Sequence, residues 1–343
     1  SDAEYTSVKR ANPTSTGFQI RQNNSQVNTN GNTYIYMAIR RGPMATPTAA
    51  SDVFAIDAAQ SSSSNPAFTS NTLVDFLLTR PMTSSSWAAS ARLTGTSQLY
   101  TNNTSQEGTS SSTTWDYNTG AWDAFSASSS YQAWMWSRAP GYFDVVAYTG
   151  TGSAGTHGHN LGVAPEMIWV KSRAGSGNWF VYHSALGATK GVYLNETGTE
   201  TTSSFFWNDT APTASVFSLG ASLNQASSHI AYLFATLAGV SKVGSFTGDG
   251  TSGRVIDCGF TSGAKLIIIK PVSGVTGGWS LYDTTSGIST GDDPVLYLNS
   301  NVAKSLPGDD VDTNSSGFIV NYNALGNYLN ASGVTYIFYA IAT

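Results

Sequence analysis

The sequence predicts an all-β protein made of tandem antiparallel β-sandwich repeats, jelly-roll-like in character, that stack into a rod. Three observations carry this prediction. Almost every apolar run is short, rich in β-branched and aromatic residues, and bounded by Gly, Asn, Ser or Asp. Helical periodicity is scarce. One aromatic strand pattern recurs at intervals of about 100 residues, which is typical of a repeat architecture.

The recurring pattern is an aromatic and aliphatic strand that closes each repeat. It reads YIYMAI at 34–39, YQAWMW at 131–136, HIAYLF at 229–234 and YIFYAI at 336–341. A second marker, a Tyr followed two positions later by Asn, recurs at Tyr100, Tyr193 and Tyr297. Because the closing strand and the Tyr-Asn marker both recur with a period of about 100 residues, a chance match is improbable.

Three further markers recur within the repeats. A strand with a Thr-Gly turn opens the repeat, a long apolar strand ending in a basic residue follows, and the next strand begins with Trp. The copies read VVAYTGTG (145–152) and VGSFTGDG (243–250); EMIWVK (166–171), KLIIIK (265–270) and the weaker LVDFLLTR (73–80); and WFVY (179–182), WSLY (279–282) and WAAS (87–90). The long apolar strands are hydrophobic on both faces, which is typical of strands between two layers.

These markers divide the chain into four parts. We predict the C-terminal half of an incomplete repeat at 1–43, a divergent repeat at 44–140, and full repeats at 141–240 and 241–343. Glu107 and Glu200 each follow the Asn of the Tyr-Asn marker by five positions, and Glu4 fits the same place. We therefore expect the first half of that repeat to precede the sequence, as in a fragment of a longer protein. The joints between repeats are short, which favours stiff stacking.

Composition and charge exclude several classes of function. The net charge is −5 and no run of Lys or Arg occurs, so the basic stripe of a nucleic-acid-binding protein is missing. Cys258 is the single cysteine, which excludes an internal disulfide and a cysteine zinc site. No continuous apolar stretch reaches the ~18 residues of a membrane span. The expected partners therefore include neither nucleic acid nor membrane.

Catalytic motifs are missing from the sequence. It contains no Gly-x-Ser-x-Gly elbow, no phosphate-binding loop followed by Lys-Ser/Thr, and no His-Glu-x-x-His. The acidic pair Asp116 and Asp123 keeps glycoside hydrolysis open as the least favoured alternative. We predict a protein that is not an enzyme, with no catalytic residues and no cofactor.

Clustered aromatic and polar residues mark a candidate glycan-binding site. Sugar recognition uses a ring face for stacking and carboxylates or amides for the hydroxyls, and WDYNTGAWDAF (115–125) and FFWND (205–209) offer both. The candidate glycan-binding residues are Trp115, Asp116, Tyr117, Trp122, Asp123, Trp207 and Asp209. The alternative is that these rings belong to the strand core, where large aromatic side chains are usually buried.

Two short patterns suggest metal ligands. Asp310, Asp312 and Asn314 have the alternating oxygen spacing of a calcium loop, but the turn Gly and the closing Glu of that loop are missing. Calcium is therefore an open alternative beside a solvated turn. His157 and His159 are two positions apart and could share one strand face as metal ligands, with a polar loop as the alternative.

The motifs together resemble a repeat domain of uncharacterised function found in virion structural and tail-fibre-like proteins of tailed phages, notably marine ones. The resemblance covers 141–343 well, 1–42 partly and 44–140 loosely. It is carried by RAPGYFDVVAYTGTG (138–152), HNLGVAPEMIWVKSR (159–173), NWFVYHSALGATKGVYLNET (178–197), FFWNDTAPTASVFSLG (205–220) and IAYLFATLAGVSKVGSFTGDG (230–250). It brings no known catalytic residues to this chain.

The resemblance implies a phage structural protein in the virion, outside the cell. We expect a fibre-like protein that attaches to host cell-surface glycans, with other virion proteins as partners and a homotrimer as the favoured oligomer. Stiff repeats would give length and multivalent weak binding. The alternative is a capsid decoration or a self-assembling extracellular filament without a receptor role; a glycan depolymerase is a more distant one.

Overall fold

The computed structural model describes residues 11–13, 18–20, 27–37, 45–58, 66–109, 113–115, 117, 119–121, 131–288, 290–322 and 329–343. The chain divides into an N-terminal unit, Ser1–Met44, and a main unit, Ala45–Thr343. The all-β prediction is confirmed, because 41% of the structure is strand and 4% is helix, and the sheets are antiparallel. Within the described part of the chain, no helix has the length and hydrophobicity needed to cross a membrane.

The N-terminal unit contains one short hairpin, of strands β1 (Ala11–Pro13) and β2 (Phe18–Ile20), which pair in antiparallel register. A loop over residues 27–33 leads to the segment predicted to be the closing strand. In this segment Ile35, Tyr36 and Met37 are 99%, 76% and 85% exposed. The side chains of residues 35–37 are therefore not enclosed by a core, whereas those of the other closing strands are.

The first repeat of the main unit, residues 45–140, forms a six-stranded sheet of order β3-β10-β5-β6-β7-β8 beside the small sheet β4-β9. Short 3-10 helices lie at Ala50–Asp52 and Arg92–Thr94. The strands are β3 (Phe54–Ala58), β4 (Phe68–Thr69), β5 (Phe76–Pro81), β6 (Ala88–Ala91), β7 (Ser97–Tyr100), β8 (Gly108–Thr109), β9 (Gly120–Ala121) and β10 (Tyr131–Trp136).

The second repeat, residues 141–240, forms the sheet β11-β18-β13-β14-β15-β16 and the small sheet β12-β17. A one-turn helix, α1 (Ser204–Trp207), begins where the Ser203 side chain accepts a hydrogen bond from the Phe205 N–H. The strands are β11 (Phe143–Thr149), β12 (Gly155–Gly158), β13 (Met167–Ser172), β14 (Phe180–His183), β15 (Lys190–Tyr193), β16 (Thr201–Thr202), β17 (Val216–Leu219) and β18 (Ser228–Phe234).

The third repeat, residues 241–343, forms the sheet β19-β26-β21-β22-β23 and the three-stranded sheet β20-β25-β24. The strands are β19 (Ser241–Thr247), β20 (Arg254–Asp257), β21 (Ala264–Pro271), β22 (Ser280–Asp283), β23 (Leu296–Tyr297), β24 (Val311–Asn314), β25 (Gly317–Val320) and β26 (Thr335–Ala342).

The closing strand occupies the same place in all three large sheets. β10, β18 and β26 each lie between the opening strand and the long apolar strand, and pair with both in antiparallel register. The Trp-led strand and the Tyr-Asn strand follow on the far side of the long apolar strand. A strand that is paired on both edges and covered on both faces must be apolar throughout, which explains why the closing strands are so hydrophobic.

Alternate residues of the long strands enter two different cores. In β18, Ile230, Tyr232 and Phe234 face a core shared by all three repeats, whereas Ala231 and Leu233 face the core between the second repeat's own two sheets. Successive side chains of a strand point to opposite faces of the sheet, which produces this division. In the second repeat, two sheets thus enclose a core of their own in a β-sandwich-like arrangement, and the large sheet also packs against the neighbouring repeats.

In the shared core, aromatic rings from different repeats are in contact. The ring centroids of Phe76 and Tyr232 are 4.3 Å apart, and those of Phe234 and Tyr339 are 5.0 Å apart. The third repeat also reaches the first directly, since the Trp87 indole donates to the Tyr297 carbonyl. The predicted end-to-end rod is therefore wrong for residues 45–343, because a linear stack would hold the first and third repeats apart.

Candidate functional site

The Trp of the Trp-led strand forms a hydrogen bond across each boundary between repeats, here called a seam. The indole Nε1 of Trp87 donates to the Tyr297 carbonyl at 2.7 Å. Trp179 donates in the same way to the Tyr100 carbonyl and Trp279 to the Tyr193 carbonyl, both at 2.9 Å. The three indoles are fully buried. These bonds run from the first repeat to the third, from the third to the second and from the second to the first. They therefore close a cycle.

The Asn of the Tyr-Asn marker holds each Trp in place from within its own repeat. The Trp179 N–H donates to Asn195 Oδ1 at 2.8 Å, and the Asn195 amide donates to Asn178 Oδ1 at 2.9 Å. Asn102 and Asn299 accept from the N–H groups of the other two seam tryptophans at 3.0 and 2.7 Å. The Tyr-Asn marker and the Trp-led strand therefore recur together, because the Asn side chain fixes the backbone of the Trp.

Two main-chain hydrogen bonds accompany the indole bond at every seam. In one, an N–H just before the seam Trp donates to the carbonyl two positions after the marker Asn: Ser85 to Asn301, Gly177 to Thr104, and Gly277 to Thr197. In the other, the N–H five positions after that Asn donates to the end of the long apolar strand: Glu107 to Arg173, Glu200 to Val272, and Lys304 to Met82. Each seam thus has the same three bonds, whatever side chains surround it.

A buried cation ends the long apolar strand at each seam. Arg80, Lys171 and Lys270 are all fully buried, and their hydrogen bonds go to main-chain carbonyl oxygens. Arg80 reaches the Val302 carbonyl of the third repeat at 2.7 Å, and Lys270 reaches the Thr197 carbonyl of the second at 3.2 Å.

Burial disfavours the charged form of these three groups. It lowers the pKa of Lys171 and of Lys270 to about 8, and the pKa of Arg80 to about 10. The carbonyl dipoles replace part of the lost hydration. Arg80 and Lys270 thereby join neighbouring repeats, whereas Lys171 donates to the Ser172 and Gly175 carbonyls of its own repeat. They do not face an open cavity where a substrate would lie.

One buried acid also bridges two repeats. Asp283 Oδ2 accepts hydrogen bonds from Gln132 Nε2 at 3.0 Å and from Trp134 Nε1 at 3.3 Å, both in the first repeat. The Ser286 N–H donates to Asp283 Oδ1 at 2.7 Å. Burial raises the pKa of the Asp283 carboxyl. Its oxygens are occupied by protein donors, so the geometry gives it a structural role.

The predicted glycan-binding residues are only partly described. Asp116, Trp122 and Asp123 lie outside the described residues, and Tyr117 is half-buried. Asp209 is exposed in the turn after α1, with a positive φ of 47°.

Trp115 and Trp207 do not fit the predicted role as stacking platforms. Trp115 is 7% exposed, with its indole Nε1 bonded to the Gly95 carbonyl and the Arg92 guanidinium over its ring. Trp207 is 1% exposed and packs edge-on against Tyr182. Because both rings are inside the protein, they contribute to the core, as the alternative interpretation held.

The predicted calcium ligands do not converge. Asp312 and Asn314 lie within strand β24, and Asp310 lies directly before it. Residues four apart in a strand are about 13 Å apart, too far to share one ion. Asp310 accepts from the Tyr282 hydroxyl, Asp312 from the Asn321 amide, and Asn314 from Ser316. The prediction is wrong because the segment is an extended strand and not a loop that wraps around an ion.

The histidine pair also fails as a metal site. His157 Nε2 is hydrogen-bonded to Asn224 Oδ1 at 2.8 Å. Both ring nitrogens of His159 are engaged, Nε2 with the Thr213 carbonyl and Nδ1 with the Leu161 N–H. Without a free ring nitrogen, His159 has no lone pair available for a metal.

A cleft of about 340 Å³ lies at the open side of the third repeat. It is lined by β19 and β20, the edge strands of the two sheets, and by Phe338 of β26. Lys242 and Asp257 provide its charged groups. The cleft follows from the sandwich architecture, since two edge strands face each other there without a strand between them.

The seam residues were visible in the sequence as markers, but their role was not. The Trp, the Tyr-Asn pair and the basic residue at the end of the apolar strand each recur with the repeat. What the sequence could not give is the acceptor, because a main-chain carbonyl has no side-chain signature. Asp283 had no signal of this kind, since His183 and Ala91 occupy its place in the other repeats.

A family model described as Domain of unknown function (DUF7483) matches residues 87–343, about three quarters of the chain. The chain therefore belongs to this family. The matched stretch begins at Trp87, the first seam tryptophan, and includes the second and third repeats in full. No curated protein matches the chain.

Proposed function

We propose that this member of the DUF7483 family is a non-enzymatic structural protein of a tailed-phage particle, fibre-like and exposed on the virion, that attaches to host-surface glycans. The resemblance of its motifs to repeats of tail-fibre-like proteins supports the proposal. The positions of its recurring polar groups also support it. They form seams between repeats and do not converge on a reaction centre.

The observation that carries the proposal is the cycle of nine matching seam hydrogen bonds, three at each boundary. Together with the shared core, these bonds make three repeats one body. Such a body offers three copies of each loop position, and repeated weak sites give avidity without high affinity at any one of them. This suits attachment to a polymer with many identical sugars.

We further propose that the repeats are tandem β-sandwiches with boundaries near 140 and 240, arranged around the shared core and not end to end. The division of side chains between a repeat's own core and the shared core supports this arrangement. Limited proteolysis tests it. If the three repeats unfold as one unit, fragments cut near 140 or 240 should not persist as folded domains.

A glycan array tests the attachment role. The intact chain should bind one or more bacterial surface polysaccharides, and binding should rise steeply when the chain is clustered on a bead. Asp209→Ala, in the exposed turn, should weaken binding, and Asp292→Ala, at another exposed position, is the charge-removal control. Failure to bind any host polysaccharide would remove the receptor role.

The non-enzymatic part of the proposal has its own test. Incubation of the same polysaccharides with the chain should leave their length unchanged. Cleavage that disappears in Asp116→Asn or Asp123→Asn would instead establish a depolymerase.

A second candidate function is assembly without a receptor role, as a capsid decoration or an extracellular filament. The exposed apolar side chains of Ile35, Tyr36 and Met37 favour it, because an exposed apolar segment is a surface for association. Light scattering separates the oligomeric outcomes. The homotrimer expected from the resemblance competes with a monomer in which three repeats of one chain replace three subunits.

A further inference from the structure

The last residue of the Trp-led strand differs from one repeat to the next. It is Ala91 in β6, His183 in β14 and Asp283 in β22, and each of the three pairs with the start of the long apolar strand. In the third repeat this residue reaches across a seam, since Asp283 accepts from Gln132 and Trp134 of the first repeat. The equivalent residue of the second repeat is a histidine that faces the third repeat.

His183 is fully buried at the seam between the second and third repeats. Its imidazole lies beside the main-chain carbonyls of Phe338 in β26 and Gly244 in β19, two residues that pair with each other in the third repeat. Its Nδ1 accepts a hydrogen bond from the Ala185 N–H at 3.2 Å. An N–H that points at Nδ1 requires the neutral tautomer with its proton on Nε2.

The neutral form of His183 fits this site and the protonated form does not. Protonation would set an N–H on Nδ1 against the Ala185 N–H and would bury a charge. Burial accordingly lowers the pKa of His183 to about 4, although the carbonyls of Phe338 and Gly244 favour the protonated form. If the seam opened, the ring would meet water and its pKa would return to the ordinary 6.5.

The strands packed against His183 supply no carboxylate for a protonated ring. Glu166, directly before β13, uses Oε2 to accept from the Thr236 N–H, and within the described part of the chain no ion pair includes His183. The other titratable side chains of β13, β14, β15, β19 and β26 are cationic or phenolic: Lys171, Tyr182, Lys190, Tyr193, Lys242, Tyr336 and Tyr339. A proton on His183 would therefore be a buried charge without a counter-ion.

The residues at the other two seams do not respond to acid in this way. Ala91 does not titrate. Burial raises the pKa of the Asp283 carboxyl, so acid favours the closed state of the seam between the third and first repeats. Lys270, at the same seam as His183, has a pKa of about 8 and is protonated in both states below pH 6.5. The response to acid is thus specific to one seam.

We propose that the seam between the second and third repeats is an acid-sensitive switch, which opens when His183 is protonated while the other two seams stay closed. Opening breaks the bond from Trp279 to the Tyr193 carbonyl and the two main-chain bonds beside it. Between pH 4 and 6.5 the open state binds one more proton than the closed state, so a falling pH shifts the equilibrium toward opening. The closed cycle of repeats would then become an arc held by two seams.

Hydrogen–deuterium exchange of the intact chain at pH 7 and pH 5 tests the proposal, with rates corrected for the intrinsic effect of pH on exchange. The Gly277 and Glu200 amides report on this seam, because their hydrogen bonds cross it. A pKa of about 4 when closed and 6.5 when open predicts that their protection falls by about 20-fold.

The matching amides of the other two seams are internal references. These are Ser85 and Lys304 at one seam and Gly177 and Glu107 at the other, and their protection should change little. Equal loss at all three seams would indicate unfolding of the main unit as a whole and would overturn the proposal. Unchanged protection of Gly277 and Glu200 would do the same.

Two variants assign the response to His183. In His183→Asn the side-chain oxygen can still accept from the Ala185 N–H but cannot be protonated, so the difference between pH 7 and pH 5 should disappear at Gly277 and Glu200. Asp283→Asn removes the titratable group at the equivalent place of the third repeat and should keep the difference. Each variant is compared with itself at two pH values, so a general loss of stability does not affect the result. A difference that persists in His183→Asn would contradict the switch.

Two other buried histidines of the second repeat lie away from the seam. Burial lowers the pKa of His159 and of His229 as well. His229 stacks on Tyr148, which belongs to the core between the second repeat's own two sheets. A response to acid that appears in the amides of β12 and β17 but not at Gly277 and Glu200 would belong to this core and would overturn the proposal.

Discussion

The indole nitrogen of Trp87 donates a 2.7 Å hydrogen bond to the main-chain carbonyl of Tyr297, 210 positions further along the chain. The bond joins the first repeat to the third. Its counterparts from Trp179 and Trp279 close the remaining two seams. Because every seam depends on both neighbouring repeats, loss of one seam is expected to weaken the whole main unit and not one repeat alone.

Trp179→Phe should lower the free energy of unfolding by about 1–3 kcal/mol more than ring shrinkage alone, because it leaves the buried Tyr100 carbonyl without its donor. Urea unfolding monitored by circular dichroism measures the change. Trp169→Phe is the matched control, since Trp169 is equally buried and its Nε1 has no hydrogen-bond partner among the described residues. Equal losses in the two variants would contradict a stabilising role for the seam bond.

Asn195→Ala should destabilise the protein by about 1–3 kcal/mol, because the Trp179 N–H loses its acceptor at the same time as the Asn178 side chain loses a donor. Asn178→Ala leaves the Trp179 N–H its acceptor and removes the Asn195–Asn178 bond together with the exposed Asn178–Glu196 bond, so it should cost less. Thermal melts of the two single variants and the double variant give the comparison. The double variant should lose less than the sum of the two single variants, since both substitutions remove the same Asn195–Asn178 bond.

Gly248→Ala should be among the most damaging single-methyl additions in the chain. A Cβ at this position would be 2.1 Å from the Ala331 carbonyl oxygen, and the backbone would have to move. We expect a loss of about 2 kcal/mol or more from overpacking. Gly198→Ala, where a Cβ meets nothing within 4 Å, is the control and should be nearly neutral. The same close approach at Gly150, 2.0 Å from the Gln225 oxygen, explains why the Thr-Gly marker recurs.

Lys270→Met should remove part of the alkaline stabilisation of the protein. The pKa of Lys270 is about 8 when folded, because of burial, against 10.5 for an ordinary lysine. Below pH 8 the amine is protonated in both states. Between pH 8 and 10.5 the unfolded state binds more protons, so stability rises with pH in this window. The gain from this one group is on the order of 2 kcal/mol by pH 9.5.

The measurement for Lys270 is the difference in unfolding free energy between the two proteins from pH 7 to 9.5. Taking the difference cancels the titration of other groups, such as Cys258, whose pKa burial raises to about 12. The unfolding free energy of the unmodified chain should rise relative to that of Lys270→Met as the pH increases. Parallel curves would show that Lys270 keeps an ordinary pKa in the folded protein.

The positions of the repeated strands could be read from the sequence. Closing strands at 131–136, 229–234 and 336–341 agree with β10, β18 and β26 to within one residue. The double-sided hydrophobicity of the long strands correctly indicated two covering layers. The candidate calcium ligands failed because oxygen spacing alone does not separate a loop from a strand. Trp115 and Trp207 are buried because a ring that looks available in sequence usually lies in a core.

The sequence by itself determined that the chain is built of β repeats, where their strands lie, and which residues recur in each of them. Local patterns suffice for this, because strand periodicity and turn residues act over a few positions. Only the tertiary structure decided that the first repeat meets the third and that each marker Trp donates across a seam. The reason is physical: the acceptors are main-chain carbonyls about 80 to 210 positions away, which every residue type supplies and no sequence pattern distinguishes.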